Sequence, residues 1–149
     1  MGEVITFTSG KGGVGKTTTT ANVGAGLSLL DKKVVLVDTD IGLRNLDVVM
    51  GLENRILYNL VDVLSGRCRA KQAIIRDKRF PNLSVIPSSC TKEKILLDSD
   101  QMKHLLDDLR QEFDYILVDS PRYRSGIFTC HYGSRPHCSG HNTSDCSHS

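Results

Sequence analysis

The chain has 149 residues, with 19 Lys and Arg against 17 Asp and Glu, and a formal net charge of +2. This near balance excludes a strongly basic nucleic-acid-binding protein, and no apolar run approaches the ~20 residues of a transmembrane helix. The N-terminal sequence MGEVITFTSGKGG lacks the charged and apolar regions of a signal peptide, so we expect a cytoplasmic protein.

Short apolar runs alternate with amphipathic stretches, which predicts an α/β fold with a parallel sheet and helices on both faces. In chain order we expect a strand at 4–8, a helix at 16–30, a strand at 33–37 and an acidic loop at 38–45. These elements are followed by helices at 56–65 and 71–75, a strand at 83–86, a helix at 99–110 and a strand at 115–118. Ser99 is a candidate N-cap, and the apolar positions of the last helix predict an inward face of Met102, Leu105, Leu106 and Leu109.

The segment GKGGVGKTT at positions 10–18 matches the phosphate-loop pattern G-x-x-x-x-G-K-[ST]. It follows a predicted strand and opens a predicted helix, as a phosphate loop requires, and this context disfavours a glycine-rich turn without a ligand. Backbone N–H groups of such a loop surround phosphates, the lysine reaches the β and γ oxygens, and the Thr17 hydroxyl binds Mg²⁺. The predicted ATP-binding residues are Gly10, Lys11, Gly12, Gly13, Val14, Gly15, Lys16, Thr17 and Thr18.

The second lysine of the loop, Lys11, makes the motif similar to the deviant form found in the MinD/ParA family of P-loop ATPases. The resemblance implies a P-loop NTPase fold and a homodimer that forms on ATP, in which Lys11 contacts the nucleotide of the partner. The alternative is that Lys11 is an ordinary solvated lysine.

The segment VDTDIGLRNLDVVMG at 37–51 resembles the family's switch I loop. The resemblance implies that Asp40 orients or deprotonates the attacking water, that Asp38 supports the metal site and that Asn45 lies near the phosphates. The alternative is that Asp38 and Asp40 only cap a loop. ILVDSP at 116–121 is similar to a Walker B strand, which would place Asp119 beside Mg²⁺. The candidate metal residues are therefore Thr17, Asp38 and Asp119, and the candidate catalytic residues are Lys11, Lys16 and Asp40.

The sequence GLRNLD favours the septum-site branch of the family over its plasmid-partitioning branch, and no nucleic-acid partner is expected. The resemblance implies an ATPase that helps to place the division septum by holding a division inhibitor at the membrane, under a topological regulator. The alternatives are a ParA-like partitioning ATPase and an inactive nucleotide-binding fragment. The family's C-terminal amphipathic helix, which makes its members peripheral proteins of the inner membrane, is not found in this sequence. The adenine-contacting residues of the family are missing as well. We therefore expect weak or no ATP turnover from the loss of the adenine pocket, and no membrane recruitment from the loss of the helix.

The composition changes at residue 122. Residues 1–121 are charge-balanced and predict the N-terminal part of an ATPase domain, an incomplete one by comparison with the family. Residues 122–149 hold four of the five His, three of the five Cys and one aliphatic residue, Ile127. Such a segment buries too little apolar surface to offset its ordering entropy, so we expect a non-homologous, disordered tail.

A zinc site is the alternative for the tail, but it contains no CxxC pair, and adjacent Cys-His couples cannot easily aim both side chains at one ion. Its candidate ligands are Cys130, His131, His137, Cys138, His141, Cys146 and His148. Cys68 and Cys90 are expected to be plain thiols.

A shifted reading frame offers a further hypothesis for the tail. Synonymous codons can be chosen for residues 122–149 so that the frame one nucleotide later encodes GIEAGFLRAITGADRIVVVTTPPTAVIR. That sequence contains the GIE switch segment, a helix and an apolar strand with which the family continues after DSP. We therefore expect that a net nucleotide loss near codon 122 shifted the frame. DNA sequencing across the junction checks this, and an intact frame with no GIE sequence in any frame would contradict it.

Overall fold

The computed structural model describes residues 2–8, 15–39, 46, 50–51, 53–89, 99–120 and 137–138. The strands are β1 (Glu3–Thr8), β2 (Val34–Asp38), β3 (Ile75–Arg76), β4 (Leu83–Ile86), β5 (Tyr115–Asp119) and β6 (His137–Cys138). The helices are α1 (Lys16–Leu29), α2 (Leu60–Leu64), α3 (Ala70–Ala73) and α4 (Ser99–Glu112), with a 3₁₀ helix at Glu53–Arg55.

The strands form one sheet in the order β3-β4-β2-β5-β1-β6. All its neighbouring strands run parallel except β3 and β4, which pair antiparallel, so the sheet is mixed at one edge. Strand β2 lies between β4 and β5, and all five of its residues are buried. A strand covered on both faces needs apolar residues at successive positions, and this explains the run VVLV.

Two apolar clusters cover the two faces of the sheet. One contains Leu36, Leu83 and Leu117 from the strands with Ala21 from α1, and the other contains Val35, Val37 and Val118 with Leu60 and α4. The predicted inward face of α4 is confirmed, because Met102, Leu105, Leu106 and Leu109 are all buried. The chain therefore forms the predicted helix-sheet-helix arrangement of a P-loop fold.

The predicted helix at 56–65 is too long. Helix α2 begins only at Leu60, because the Asn59 side chain accepts a hydrogen bond from Asp62 N while Asp62 accepts one from Asn59 N. This capping box fixes the helix start, and Leu57, which lies within the predicted helix, is 86% exposed. The predicted helix at 71–75 is also displaced, since Ile75 belongs to β3 and pairs with Val85.

Gly24 is the place where α1 comes closest to the sheet. A Cβ atom there would lie 2.7 Å from Leu36 Cδ2 and 3.1 Å from Leu83 Cδ1, and both leucines are fully buried. We expect Gly24→Ala to destabilise the fold by about 1–3 kcal/mol through overpacking. At exposed Gly26, where an added Cβ meets nothing within 4 Å, the same change should stabilise the helix by about 1 kcal/mol. Urea unfolding of both variants measures the difference, and equal midpoints would contradict this packing.

Within the described ranges, no helix is long and apolar enough to cross a membrane. Of the tail after residue 121, the structure describes residues 137 and 138, which form β6 against β1. The predicted disorder of the tail therefore remains a prediction.

Candidate nucleotide and metal site

Two buried carboxylates lie side by side at the carboxyl edge of the sheet. Asp38 is the last residue of β2 and Asp119 the last of β5, and the two are paired in register. We had expected these strands to end one residue earlier, at Val37 and Val118. The strands continue because both aspartates keep the ladder pairing, and this fixes the two carboxylates at one level of the sheet.

Helix α1 begins beside this edge. Its N-cap, Gly15, has φ 76°, a left-handed conformation that glycine adopts without steric cost, and Thr19 N donates to its carbonyl at 2.8 Å. The first turn of α1 contains no acidic residue. A helix N-terminus without its own carboxylate favours an external anion, through its free N–H groups and the helix dipole.

Lys16 and Thr17, in the first turn of α1, both contact Asp119. Thr17 Oγ1 donates to Asp119 Oδ2 at 2.8 Å, and Lys16 Nζ lies 2.9 Å from Asp119 Oδ1. Lys16 Nζ also donates to the backbone carbonyl of Ser120. The Lys16 side chain is 12% exposed and that of Asp119 is fully buried, so this ion pair lies at the floor of the site. The structure thus brings together three of the predicted residues.

Two residues that we did not single out, Thr39 and Ser120, join the strand ends below the site. Thr39 donates to the Asp119 carbonyl through both N (3.1 Å) and Oγ1 (2.7 Å). Ser120 donates to the Phe7 carbonyl through N (3.1 Å) and Oγ (2.9 Å). The signal was present in the sequence as the paired tripeptides Val-Asp-Thr at 37–39 and Val-Asp-Ser at 118–120. These bonds hold β2, β5 and β1 in one arrangement at the carboxyl edge of the sheet.

The hydroxyl of Thr39 supports a prediction that can be checked by unfolding. Thr39→Val should lower the free energy of unfolding by about 1 kcal/mol, because it removes a buried hydrogen bond at nearly constant shape. Thr39→Ser keeps the hydroxyl and should lose less. Urea midpoints at unchanged m-value measure both variants. If the serine variant is as unstable as the valine variant, the hydroxyl hydrogen bond does not contribute to the free energy of unfolding.

Asp38 also anchors the chain that follows β2. Its Oδ2 accepts a hydrogen bond from Leu46 N at 3.2 Å, and both residues are buried. A carboxylate that accepts this bond holds Leu46 close to the end of β2. The other predicted site residues lie outside the described part of the chain, namely Gly10, Lys11, Gly12, Gly13, Val14, Asp40 and Asn45. Gly15 and Thr18 lie at the start of α1, and Thr18 is exposed.

The donor set at this edge suits Mg²⁺. This ion prefers oxygen ligands and usually takes one or two carboxylates together with waters and substrate phosphates. Thr17 and Asp119 supply a hydroxyl and a carboxylate in contact, with Asp38 on the neighbouring strand. Asp119 Oδ1 is buried. Among the described residues, it forms an ion pair with Lys16 Nζ but accepts no well-aligned hydrogen bond. An oxygen in that condition has capacity for an ordered water of a metal shell.

Among the described residues, Cys68 is a free cysteine. Partial burial, and next the charge of Asp62, raise the pKa of the Cys68 thiol above its usual value. A raised pKa keeps the thiol protonated at neutral pH, as expected of a plain thiol. In the described part of the chain, no group of three or more His, Cys, Asp or Glu residues could hold a metal ion. Cys90 and most of the tail lie outside the described residues.

Comparison with known proteins places this geometry in a family. A family model described as AAA domain matches residues 2–130. The chain belongs to this family. Within it, the chain resembles the MinD branch, as the loop sequences predicted. Septum site-determining protein MinD of Bacillus subtilis is 59% identical over 122 residues, which cover 81% of this chain and 46% of that protein.

Solved structures agree with this assignment. MinD in the MinC:MinD cell division protein complex of Aquifex aeolicus matches with a TM-score of 0.75 and 44% identity, over 89% of this chain and 53% of that one. MinD from Pyrococcus horikoshii, complexed with Mg-ADP, matches with a TM-score of 0.72 and 34% identity, over 81% and 49%. The chain spans about half the length of the relatives it matches.

Proposed function

We propose that this chain binds Mg-ATP at the carboxyl edge of β2 and β5, and that it serves as the nucleotide-binding part of a MinD-type cell-division ATPase. The observation that carries the proposal is the convergence of Lys16 and Thr17 on buried Asp119. A lysine, a hydroxyl and a carboxylate at a helix N-terminus provide one group for phosphate and two for a hydrated divalent cation. The Mg-ADP complex of the Pyrococcus relative supports the choice of ligand.

Each described residue has a defined task in this proposal. Lys16 Nζ places positive charge at the N-terminus of α1, where β and γ phosphate oxygens carry negative charge. Thr17 and Asp119 would hold Mg²⁺, with Asp38 supporting them from β2. When bound, the metal ion neutralises charge that develops on the phosphate oxygens. Thr39 and Ser120 keep the strand ends fixed, so the charged groups need little rearrangement when the nucleotide binds.

Hydrolysis, dimerisation and partner binding belong to the same proposal. Asp40 would orient the attacking water, Asn45 would lie near the phosphates, and Lys11 would reach the nucleotide of a second copy, so that ATP promotes a homodimer. The MinC:MinD complex of the Aquifex relative supports a division inhibitor as partner. By the resemblance to the family, this assembly would work at the membrane surface under a topological regulator.

The test of the partner is capture of a purified MinC-type division inhibitor on the immobilised full chain. We expect retention with Mg-ATP, little retention with Mg-ADP, and none by the Lys16→Ala variant. Lys103→Ala, on the exposed face of α4, is the matched control and should retain the inhibitor. Failure of the unaltered chain to retain the inhibitor at saturating Mg-ATP would contradict the proposed partner.

A further inference from the structure

A second concave site lies on the face of the sheet opposite α1. A cavity of about 540 Å³ opens between α4 on one side and the chain from α2 to α3 on the other. Its apolar floor belongs to the cluster that covers Val35 and Val118, whereas α1 packs into the cluster on the other face. None of the residues that line the cavity contacts the candidate nucleotide site, so the two sites are separate.

The size and the floor of this cavity suit a small molecule. Small-molecule sites are concave, largely apolar and about 300–1,000 Å³ in volume. The floor includes buried Leu105 and Leu109, together with Val63, Leu64 and Ile74, which are only partly buried. The partly buried side chains leave apolar surface facing the cavity. A ligand with an apolar body would remove this surface from water, which favours its binding.

The two walls of the cavity carry opposite charges. Arg69 and Lys71 lie at the start of α3, and Asp108 and Glu112 lie on α4. One pair is joined across the cavity, because Lys71 Nζ is 2.8 Å from Glu112 Oε1. The Arg69 guanidinium and the Asp108 carboxylate are exposed, and within the described residues neither has a hydrogen-bond or ion-pair partner. The cavity therefore presents a cation and an anion that do not neutralise each other.

We propose that this cavity binds a small zwitterion with an apolar body, namely a free α-amino acid with an apolar side chain. Arg69 would bind the carboxylate, for which the guanidinium offers two parallel N–H donors, and Asp108 would bind the ammonium group. The apolar side chain would lie on the floor. A ligand with one charge would match only one wall. The inference concerns a second binding site, goes beyond the proposed function and does not depend on nucleotide binding.

The test titrates three ligands into the full chain by calorimetry. They are L-phenylalanine, 2-phenylethylamine, which lacks the carboxylate, and 3-phenylpropionate, which lacks the ammonium group. Because all three share the same ring, their apolar contacts are alike. We expect saturable binding of phenylalanine, and binding weaker by about tenfold or more for each of the other two. Absence of phenylalanine binding, or equal binding of the three ligands, would overturn the proposal.

A variant of the basic wall tests the carboxylate contact. Arg69→Gln should weaken phenylalanine binding by about tenfold and leave phenylethylamine binding unchanged, because the latter has no carboxylate. Lys103→Ala is the matched control, since Lys103 is exposed on α4 and does not line the cavity. It should bind all three ligands like the unaltered chain. An Arg69→Gln variant with full affinity for phenylalanine would refute the proposed pairing.

The thiol of Cys68 locates the bound amino acid. Cys68 lines the cavity and is partly exposed, so its alkylation can be followed by mass spectrometry. Phenylalanine at roughly ten times its Kd should slow alkylation of Cys68 about tenfold, because the occupied cavity excludes the reagent. Alkylation of Cys146 in the tail should keep its rate. Binding of phenylalanine without protection of Cys68 would show that the ligand occupies another place and would contradict the proposal.

Discussion

Lys16→Ala is expected to weaken Mg-ATP binding by about 100-fold, because it removes the charge that meets the phosphates. The same change should destabilise the fold by roughly 3 kcal/mol, since buried Asp119 loses its cation and keeps only the Thr17 hydrogen bond. Calorimetric titration with ATP and urea unfolding measure the two effects separately.

A double variant separates the stability effect from the binding effect. Lys16→Ala with Asp119→Asn removes both charges, so it should regain part of the lost stability without regaining nucleotide affinity. Lys16→Ala protein that is folded and binds Mg-ATP within about threefold of the unaltered chain would contradict the role of Lys16.

The second large effect is expected from Asp119→Asn. The amide keeps the shape of the side chain and can still accept the Thr17 hydrogen bond, but it loses the charge that a divalent cation requires. We expect the gain in ATP affinity on adding Mg²⁺ to fall by about 10- to 100-fold, while binding of metal-free ATP changes little. Titrations with and without a chelator measure this gain.

The matched control is Asp108→Asn, an exposed carboxylate on α4. It should leave the Mg²⁺ dependence unchanged. An Asp119→Asn variant with the full Mg²⁺ effect would exclude Asp119 from the metal site and leave Thr17 and Asp38 as its remaining candidates.

Much of the fold follows from local pattern. The buried runs VVLV and YILV predicted two central strands, because strands covered on both faces need continuous apolar residues. The spacing of Met102, Leu105, Leu106 and Leu109 predicted the inward face of α4. The helix boundary at Leu60 was missed because it depends on the Asn59 and Asp62 side-chain bonds, whereas apolar periodicity alone continued back to Ile56.

The candidate site was predictable in its residues but not in its geometry. The phosphate-loop pattern indicated Lys16 and Thr17, and the end of an apolar strand indicated Asp119. Their convergence depends on the register that places Asp38 beside Asp119, which is a long-range property of the sheet. The role of Thr39 depends on the same register, because it donates to the Asp119 carbonyl. The role of Ser120 depends on the pairing of β1 with β5, because it donates to the Phe7 carbonyl.

All of the predicted binding effects require that the groups around Asp119 form a Mg-nucleotide site. Calorimetric titration of ATP into the full chain, with Mg²⁺ and then with excess chelator, tests it most directly. We predict saturable binding of one ATP per chain that weakens when the metal ion is chelated. A chain that shows cooperative unfolding, and is therefore folded, yet binds no ATP in the presence of Mg²⁺ would contradict the claim.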